Sequence, residues 1–254
     1  MTWSLTNIYR HPVKSLGEES LDQVMLETGG GIPWDREWAI VHAKAEWDPA
    51  APGFISGSRN VVNQTQVPRL AQITCTFDET AGVMTLRHPD QGEISARPSH
   101  KDDQARLMDW LAPLTEGTPS QGPFQFCDAL GVRYTDFEDT HISIATGNSL
   151  RALEQHAGQS LEHIRFRMNL WLEGPAAWSE LDWVGNDVEI GAARFRIIAR
   201  DKRCSATNAN PMTGVRDTQL PALLQETQNH MDFGVYAQVV RGGPIKCGDT
   251  ARLV

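Results

Sequence analysis

The run Arg200-Asp201-Lys202-Arg203-Cys204-Ser205-Ala206-Thr207-Asn208-Ala209-Asn210-Pro211-Met212-Thr213-Gly214-Val215 follows an apolar stretch with a sudden concentration of charge and hydrogen-bonding groups. Cys204 stands directly after Lys202 and Arg203, and nearby cations favour the thiolate, the form of cysteine that attacks electrophiles and ligates soft metals. Cys204 is therefore the first candidate for chemistry. The competing reading is a small packing residue whose charged neighbours turn to solvent. Cys247 adjoins Lys246 but shares a strand face with Ile245. Cys75 lies on the apolar side of an alternating segment and Cys127 follows Phe126, so these three read as structural.

Groups suited to anions recur elsewhere. Lys14 and Ser15 follow Pro12, and Arg36 follows the turn-forming Gly29-Gly30-Gly31. Those glycines are not a P-loop, because no G-K-[ST] follows them. Arg165, Arg167 and Asn169 alternate with Phe166 and Met168, which on an extended strand puts two guanidinium groups and an amide on one face. An ordinary solvated strand surface is the plain alternative. H-E-x-x-H, G-x-S-x-G and C-x-x-C are all missing, which disfavours zincin, serine-hydrolase, structural-zinc and iron–sulfur chemistry.

The elements that must position these groups are short. Turn residues punctuate the 254-residue chain every few positions, and the segments between are rich in β-branched and aromatic residues. This predicts a mainly β fold with a few helices. Expected strands include Trp38–His42, Ile73–Phe77, Val83–Arg87, His141–Ala145, Phe166–Leu172, Phe195–Ala199, Tyr236–Val240 and Ala251–Val254, with the second and third forming a hairpin. One helix should start from a capping box at Ser99 and Asp102 and stop at Pro113. A second should be capped by Asn148 and Ser149 and end at Gly158. A third, from about Thr218, carries Leu220, Leu223, Leu224 and Thr227 and should lie as a lid across a sheet. The poorly patterned Leu114–Gly131 suggests a boundary between domains 1–115 and 116–254. The formal charge of −9 argues against broad binding to nucleic acid or an anionic membrane. The start has no signal-peptide pattern, so a cytoplasmic protein with reduced thiols is expected.

Taken in order, Pro12-Val13-Lys14-Ser15, Asp35-Arg36, Asn148-Ser149, Arg165-Phe166-Arg167-Met168-Asn169, Arg203-Cys204 with Asn210-Pro211-x-Thr213-Gly214, then Phe233-Gly234-x-Tyr236 and Gly248-Asp249 resemble the landmarks of MOSC-domain proteins of the amidoxime-reducing type. The resemblance spans nearly the whole chain. It implies an N-terminal β-barrel domain followed by a MOSC β-barrel domain, with the pterin-based molybdenum cofactor between them. Lys14, Ser15, Arg36, Asn148, Ser149, Arg165, Arg167, Asn169 and Arg203 would hold the cofactor, and Cys204 would ligate molybdenum. Thr207, Asn208 and Asn210 would orient substrate or the departing oxygen.

The activity implied is removal of oxygen from N-hydroxylated compounds such as amidoximes, using two electrons and two protons. The electrons would come from a separate protein, of ferredoxin, flavodoxin or cytochrome b5-like type. Two other readings stay open: sulfur relay through a Cys204 persulfide, and a cofactor carrier without turnover. Met168 replaces a common proline, and Asn210 stands where an aspartate commonly precedes Pro-x-Thr-Gly. If that carboxylate supplies protons, Asn210→Asp should raise turnover.

Overall fold

A computed structural model describes residues 2–46, 48, 60–131, 133–135 and 140–254. Its strands are, in chain order, β1 (Trp3–Arg10), β2 (Glu19–Leu21), β3 (Gln23–Leu26), β4 (Trp38–Val41), β5 (Thr74–Asp78), β6 (Val83–His88), β7 (Gly92–Ala96) and β8 (Gln125–Asp128). The second half adds β9 (Ile142–Thr146), β10 (Leu170–Glu173), β11 (Asp187–Ile190), β12 (Ala193–Lys202), β13 (Asp232–Arg241), β14 (Gly243–Lys246) and β15 (Thr250–Leu253). The helices are α1 (Lys101–Leu111), α2 (Gly147–Ala157) and α3 (Leu220–Gln228). None among the described residues is long and apolar enough to cross a membrane.

Seven strands close into a barrel in the order β10-β9-β13-β12-β11-β15-β1, and the antiparallel β1–β10 pairing completes the ring. Closure removes the sheet edges that would otherwise expose unpaired backbone groups. Leu5, Ile8, Ile144, Leu170, Phe195 and Val235 fill its interior. The first strand of the chain is thus a stave of the barrel built by the second half. In exchange, β8 pairs with β4 of the first half. The two sequence halves are interleaved, so a cut at residues 115 and 116 would separate strands from their partners.

In the first half, β5 and β6 form the expected hairpin, extended by β7 into a meander. Cys75 and Phe77 alternate inward from β5, while Thr74, Thr76 and Asp78 face out. Leu107 and Leu111 of α1 belong to the core beneath this meander. The caps differ from expectation. His100 precedes α1 without a side-chain cap, and Thr146, rather than Asn148 or Ser149, accepts the Ser149 N–H at the start of α2. Leu220 and Leu224 of α3 pack with Leu153 of α2, Phe166 and Phe233, so α3 shares a cluster with another helix and is not a lone lid.

Arg165 to Leu170 departs most from its sequence reading. His163–Phe166 is a 3-10 turn, Arg167 is left-handed at φ 50°, and the strand starts only at Leu170. The alternation of charge and apolar groups there therefore does not describe one strand face.

Gly17 shows how tightly the segment carrying Lys14 and Ser15 is laid on the meander. A Cβ there would lie 2.5 Å from the Cys75 Cβ and 2.6 Å from its backbone nitrogen, at a φ of +52°. Neither the strand backbone nor the conformation can yield cheaply. Gly17→Ala should lower stability by at least about 2 kcal/mol in denaturant unfolding; an unchanged midpoint would contradict this packing.

Candidate functional site

The site forms where Val13–Gly17, the turn at Trp34–Arg36 and the left-handed link at Arg167 meet. His11 donates its N–H to Asp35 Oδ1 at 2.7 Å, Lys14 donates its N–H to the Trp38 carbonyl at 2.7 Å, and Arg36 donates its N–H to the His11 carbonyl at 2.7 Å. These bonds lace the two N-terminal segments together. Seven non-glycine residues among those described have positive φ, and three of them are Ser15, Arg36 and Arg167. A left-handed residue with a side chain costs about 1–2 kcal/mol, so three at one junction mark a place where side-chain direction outranks backbone comfort.

What this geometry achieves is the approach of two cations. The Arg36 guanidinium pairs with Asp35, and it donates to the Arg167 carbonyl at 3.1 Å and to Asn169 Oδ1 at 3.4 Å. Arg167 donates to the carbonyls of Gly17 at 2.9 Å and Val13 at 3.5 Å, and has no carboxylate in ion-pair contact among the described residues. Burial, and then repulsion from Arg36, lower the Arg167 guanidinium to about 10. Burial alone would raise the Asp35 carboxyl, but Arg36 and His11 hold it well below the usual carboxylate range. Arg36 pairs with Asp35, and the Asp35 and Glu18 carboxylates both act on Arg167, so the junction gathers two guanidinium groups with these two carboxylates.

Asn169 fixes this arrangement from within. Its Oδ1 accepts from the Ser143 N–H at 3.1 Å and the Ser143 hydroxyl at 2.9 Å, while its Nδ2 donates to the Tyr9 carbonyl and to Asp35 Oδ1, each at 3.1 Å. Buried and fully bonded, it positions Asp35 instead of presenting itself to a ligand.

Cys204 lies at the end of β12 with its thiol exposed. Its Sγ is 3.8 Å from Thr65 Oγ1, and the neighbouring Gln64 donates to the Ser15 carbonyl at 3.1 Å. This row of contacts sets the thiol against the first half of the chain, beside the loop that Arg167 holds. By contrast, burial pushes the Cys127 thiol up to about 12 and raises those of Cys75 and Cys247. Sequence reading missed Thr65, Gln64 and the buried His11. They lack any motif, and only the fold brings them here.

The MOSC domain matches residues 122–252, and the MOSC N-terminal beta barrel domain matches residues 2–119. The chain belongs to the MOSC-domain family. Mitochondrial amidoxime-reducing component 1 of Xenopus laevis is 24% identical over 94% of this chain and 78% of its own length. Molybdenum cofactor sulfurases of Homo sapiens and Oryza sativa subsp. japonica are 21% and 24% identical over 91% and 83% of this chain, which spans 29% of each.

Several residues singled out by the family landmarks lie outside the arginine junction. Asn148 donates to the Pro175 carbonyl at 2.6 Å and accepts from Arg151 at 2.7 Å. Ser149 is buried against Thr146, the Trp178 N–H and Glu180. Both follow the C-terminal end of β9, whereas Asn169 and Ser143 meet at the start of the parallel β9–β10 pair. Arg165 is buried in a bidentate pair with Asp217, at 2.8 and 3.0 Å, and a third bond to Glu162 at 2.6 Å, so its fork is filled. Arg203 pairs with Asp201 and donates to the Phe166 carbonyl at 2.6 Å, which turns its charge to those acceptors.

The polar residues after Cys204 shape the loop. The Thr207 hydroxyl donates to the Cys204 carbonyl at 2.9 Å, and Asn208 Oδ1 accepts the Leu220 N–H at the start of α3 at 2.9 Å. Asn210 accepts from the Met212 N–H at 2.7 Å and donates to Asp217 Oδ2 at 2.6 Å. A carboxylate therefore already stands beside Asn210, the position where Asn210→Asp is expected to raise turnover. That substitution would set two carboxylates in contact. It should lower stability by about 1 kcal/mol, less in high salt, because the pair is partly exposed; urea unfolding at two ionic strengths checks this, and equal stability would contradict it.

Glu180 carries the pH signature of the Ser149 cluster. Fully buried, with Oε1 unpartnered and Oε2 accepting from Ser149 at 2.9 Å, it is pushed up by burial to about 7 from its ordinary 4.5. The protonated form is favoured in the folded chain, so its contribution is full below about pH 4.5 and is lost as pH rises through about 7. Glu180→Gln should remove that loss, so the variant gains on the wild type by up to about 1.4 kcal/mol per pH unit across this window. Denaturant unfolding from about pH 5 to about pH 8 measures it; parallel profiles would show that Glu180 ionises freely.

Proposed function

We propose that this MOSC-family chain binds the pterin-based molybdenum cofactor at the Arg36–Arg167 junction and reduces N-hydroxylated compounds, with electrons from a separate protein. The carrying observation is the pair of partly buried guanidinium groups, joined through Gly17, Ser15 and Gln64 to the segment that meets an exposed thiol. Two guanidinium groups suit an anionic, phosphate-bearing group. Cys204 and Cys247 are both exposed, and an accessible thiol suits a soft metal; Cys204 is the one beside Thr65. Among the described residues no group of three or more His, Cys, Asp or Glu is placed to hold a metal ion, so the metal must bring further ligands, as a dithiolene cofactor does. The relatives named for amidoxime reduction and for the molybdenum cofactor favour the same reading.

In this reading Arg36 and Arg167 bind the anionic part, with Ser15 and Lys14 on the adjoining loop, and Asn169 and Asp35 keep the guanidinium groups oriented. Cys204 provides the protein's bond to the metal, with Thr65 beside it. When bound, the cofactor supplies the two-electron chemistry by which an N–OH compound, two electrons and two protons give the N–H compound and water. The protein contributes binding, orientation and a route for protons.

The test is metal analysis of the chain purified from cells able to make the cofactor, paired with benzamidoxime reduction driven by an artificial electron donor. Near-equimolar molybdenum with turnover is expected. Cys204→Ser should cut turnover at least about 100-fold, while Cys247→Ser should keep it within about twofold. Metal without turnover would replace the reductase by a carrier, and a metal-free chain with labile sulfur on Cys204 would replace it by a sulfur relay.

A further inference from the structure

A row of titratable groups leads away from the arginine junction, and the chemistry above does not use it. His11 is fully buried, with Nδ1 3.3 Å from Asp35 Oδ1. Its Nε2 faces Glu18 Oε2 at 3.7 Å, and both atoms are buried without a hydrogen-bond partner. The other Glu18 oxygen is 2.8 Å from His163 Nε2, and the His163 side chain is 40% exposed. Tyr9 stacks on His163 at 4.7 Å, and Trp171 meets its ring edge-on. The charged groups facing His11 are Asp35, Glu18, Arg167 and Arg36. A hydrogen carried by either His11 Nε2 or Glu18 Oε2 would give both of these buried, facing atoms a partner across the 3.7 Å gap.

We propose that His163, Glu18 and His11 form a proton row from solvent to the junction, and that His11 takes up a proton when an anion occupies the Arg36–Arg167 pocket. The proposal rests on the reading of that pocket as an anion site. The transfer balances: a solvent acid protonates His163, His163 passes its Nε2 proton to Glu18 Oε1, and the Glu18 carboxyl group turns so that this proton faces His11 Nε2 and passes to it. Glu18 returns to carboxylate, His163 to neutral imidazole, and His11 ends as imidazolium. Burial and the Arg167 and Arg36 charges lower the proton affinity of His11, against the raising effect of Asp35 and Glu18. An anion offsets those charges, so the proton follows it. A reaction that consumes two protons would thereby have one stored beside the cofactor.

Sulfate is the suitable probe because its charge is constant between about pH 5 and about pH 9. Histidine titrations by nitrogen-15 NMR on the full chain, with and without saturating sulfate, should show His11 gaining at least about tenfold in proton affinity when sulfate binds. Calorimetry in buffers of different ionisation enthalpy should show net proton uptake. Arg167→Gln without sulfate should raise His11 in the same direction. Glu18→Gln should leave the fold intact but slow proton exchange at His11 at least about tenfold, because the middle of the row is gone. Sulfate binding with no change at His11, an unmoved His11 in Arg167→Gln, or unaltered exchange in Glu18→Gln would each overturn the proton row while leaving the anion pocket standing. Failure of sulfate to bind would instead remove the pocket, and the row's purpose with it.

Discussion

Two guanidinium groups, Arg36 and Arg167, are held near each other in a partly buried junction where each raises the energy of the other's charge. A chain free to relax would separate them, since like charges in a poorly solvated place repel strongly. Here it cannot. Asp35 grips one, the carbonyls of Gly17 and Val13 grip the other, and Asn169 ties Asp35 to the start of the β9–β10 pair. The left-handed backbones of Ser15, Arg36 and Arg167 are part of the same cost. Stability given up at one place in this way is the usual mark of a binding site.

The interleaving of the halves explains how that cost is met. Because β1 is a stave of the second barrel, the chain leaves it at Arg10 directly into the segment that carries His11, Lys14 and Ser15. The junction is therefore anchored to a closed ring on one side and, through Gly17 against Cys75, to the meander on the other. Two linked domains with a mobile interface could not hold two cations at this separation. A closed barrel can, since every strand in it has two partners.

The sequence made the periodic elements legible and left the exceptions to their regularity hidden. The three helices and the β5–β6 hairpin follow from apolar spacing and turn residues, and they appear within a few residues of expectation. Alternation across Arg165, Arg167 and Asn169 suggested one anion-binding face, but a 3-10 turn and a left-handed Arg167 send the three side chains to different places. No local rule announces a left-handed arginine, because tertiary contacts impose it. Likewise, the charge written beside Cys204 at Arg203 goes to Asp201, a partner on the same strand that sequence could not assign. Motif order singled out Cys204, Arg36 and Arg167 as candidates. Only distance shows which neighbours Arg165, Ser149 and Asn208 have: Asp217, Glu180 and the Leu220 N–H.

In the proposed function, Cys204 and the two arginines act on one ligand together. Crystals of the chain purified from cells that make the cofactor, with anomalous diffraction collected at the molybdenum edge, measure this directly. A metal peak at bonding distance from Cys204 Sγ, with the anionic end of the cofactor on Arg36 and Arg167, is the predicted result. A metal bound away from Cys204, or a cofactor whose anionic end leaves both arginines untouched, would contradict it.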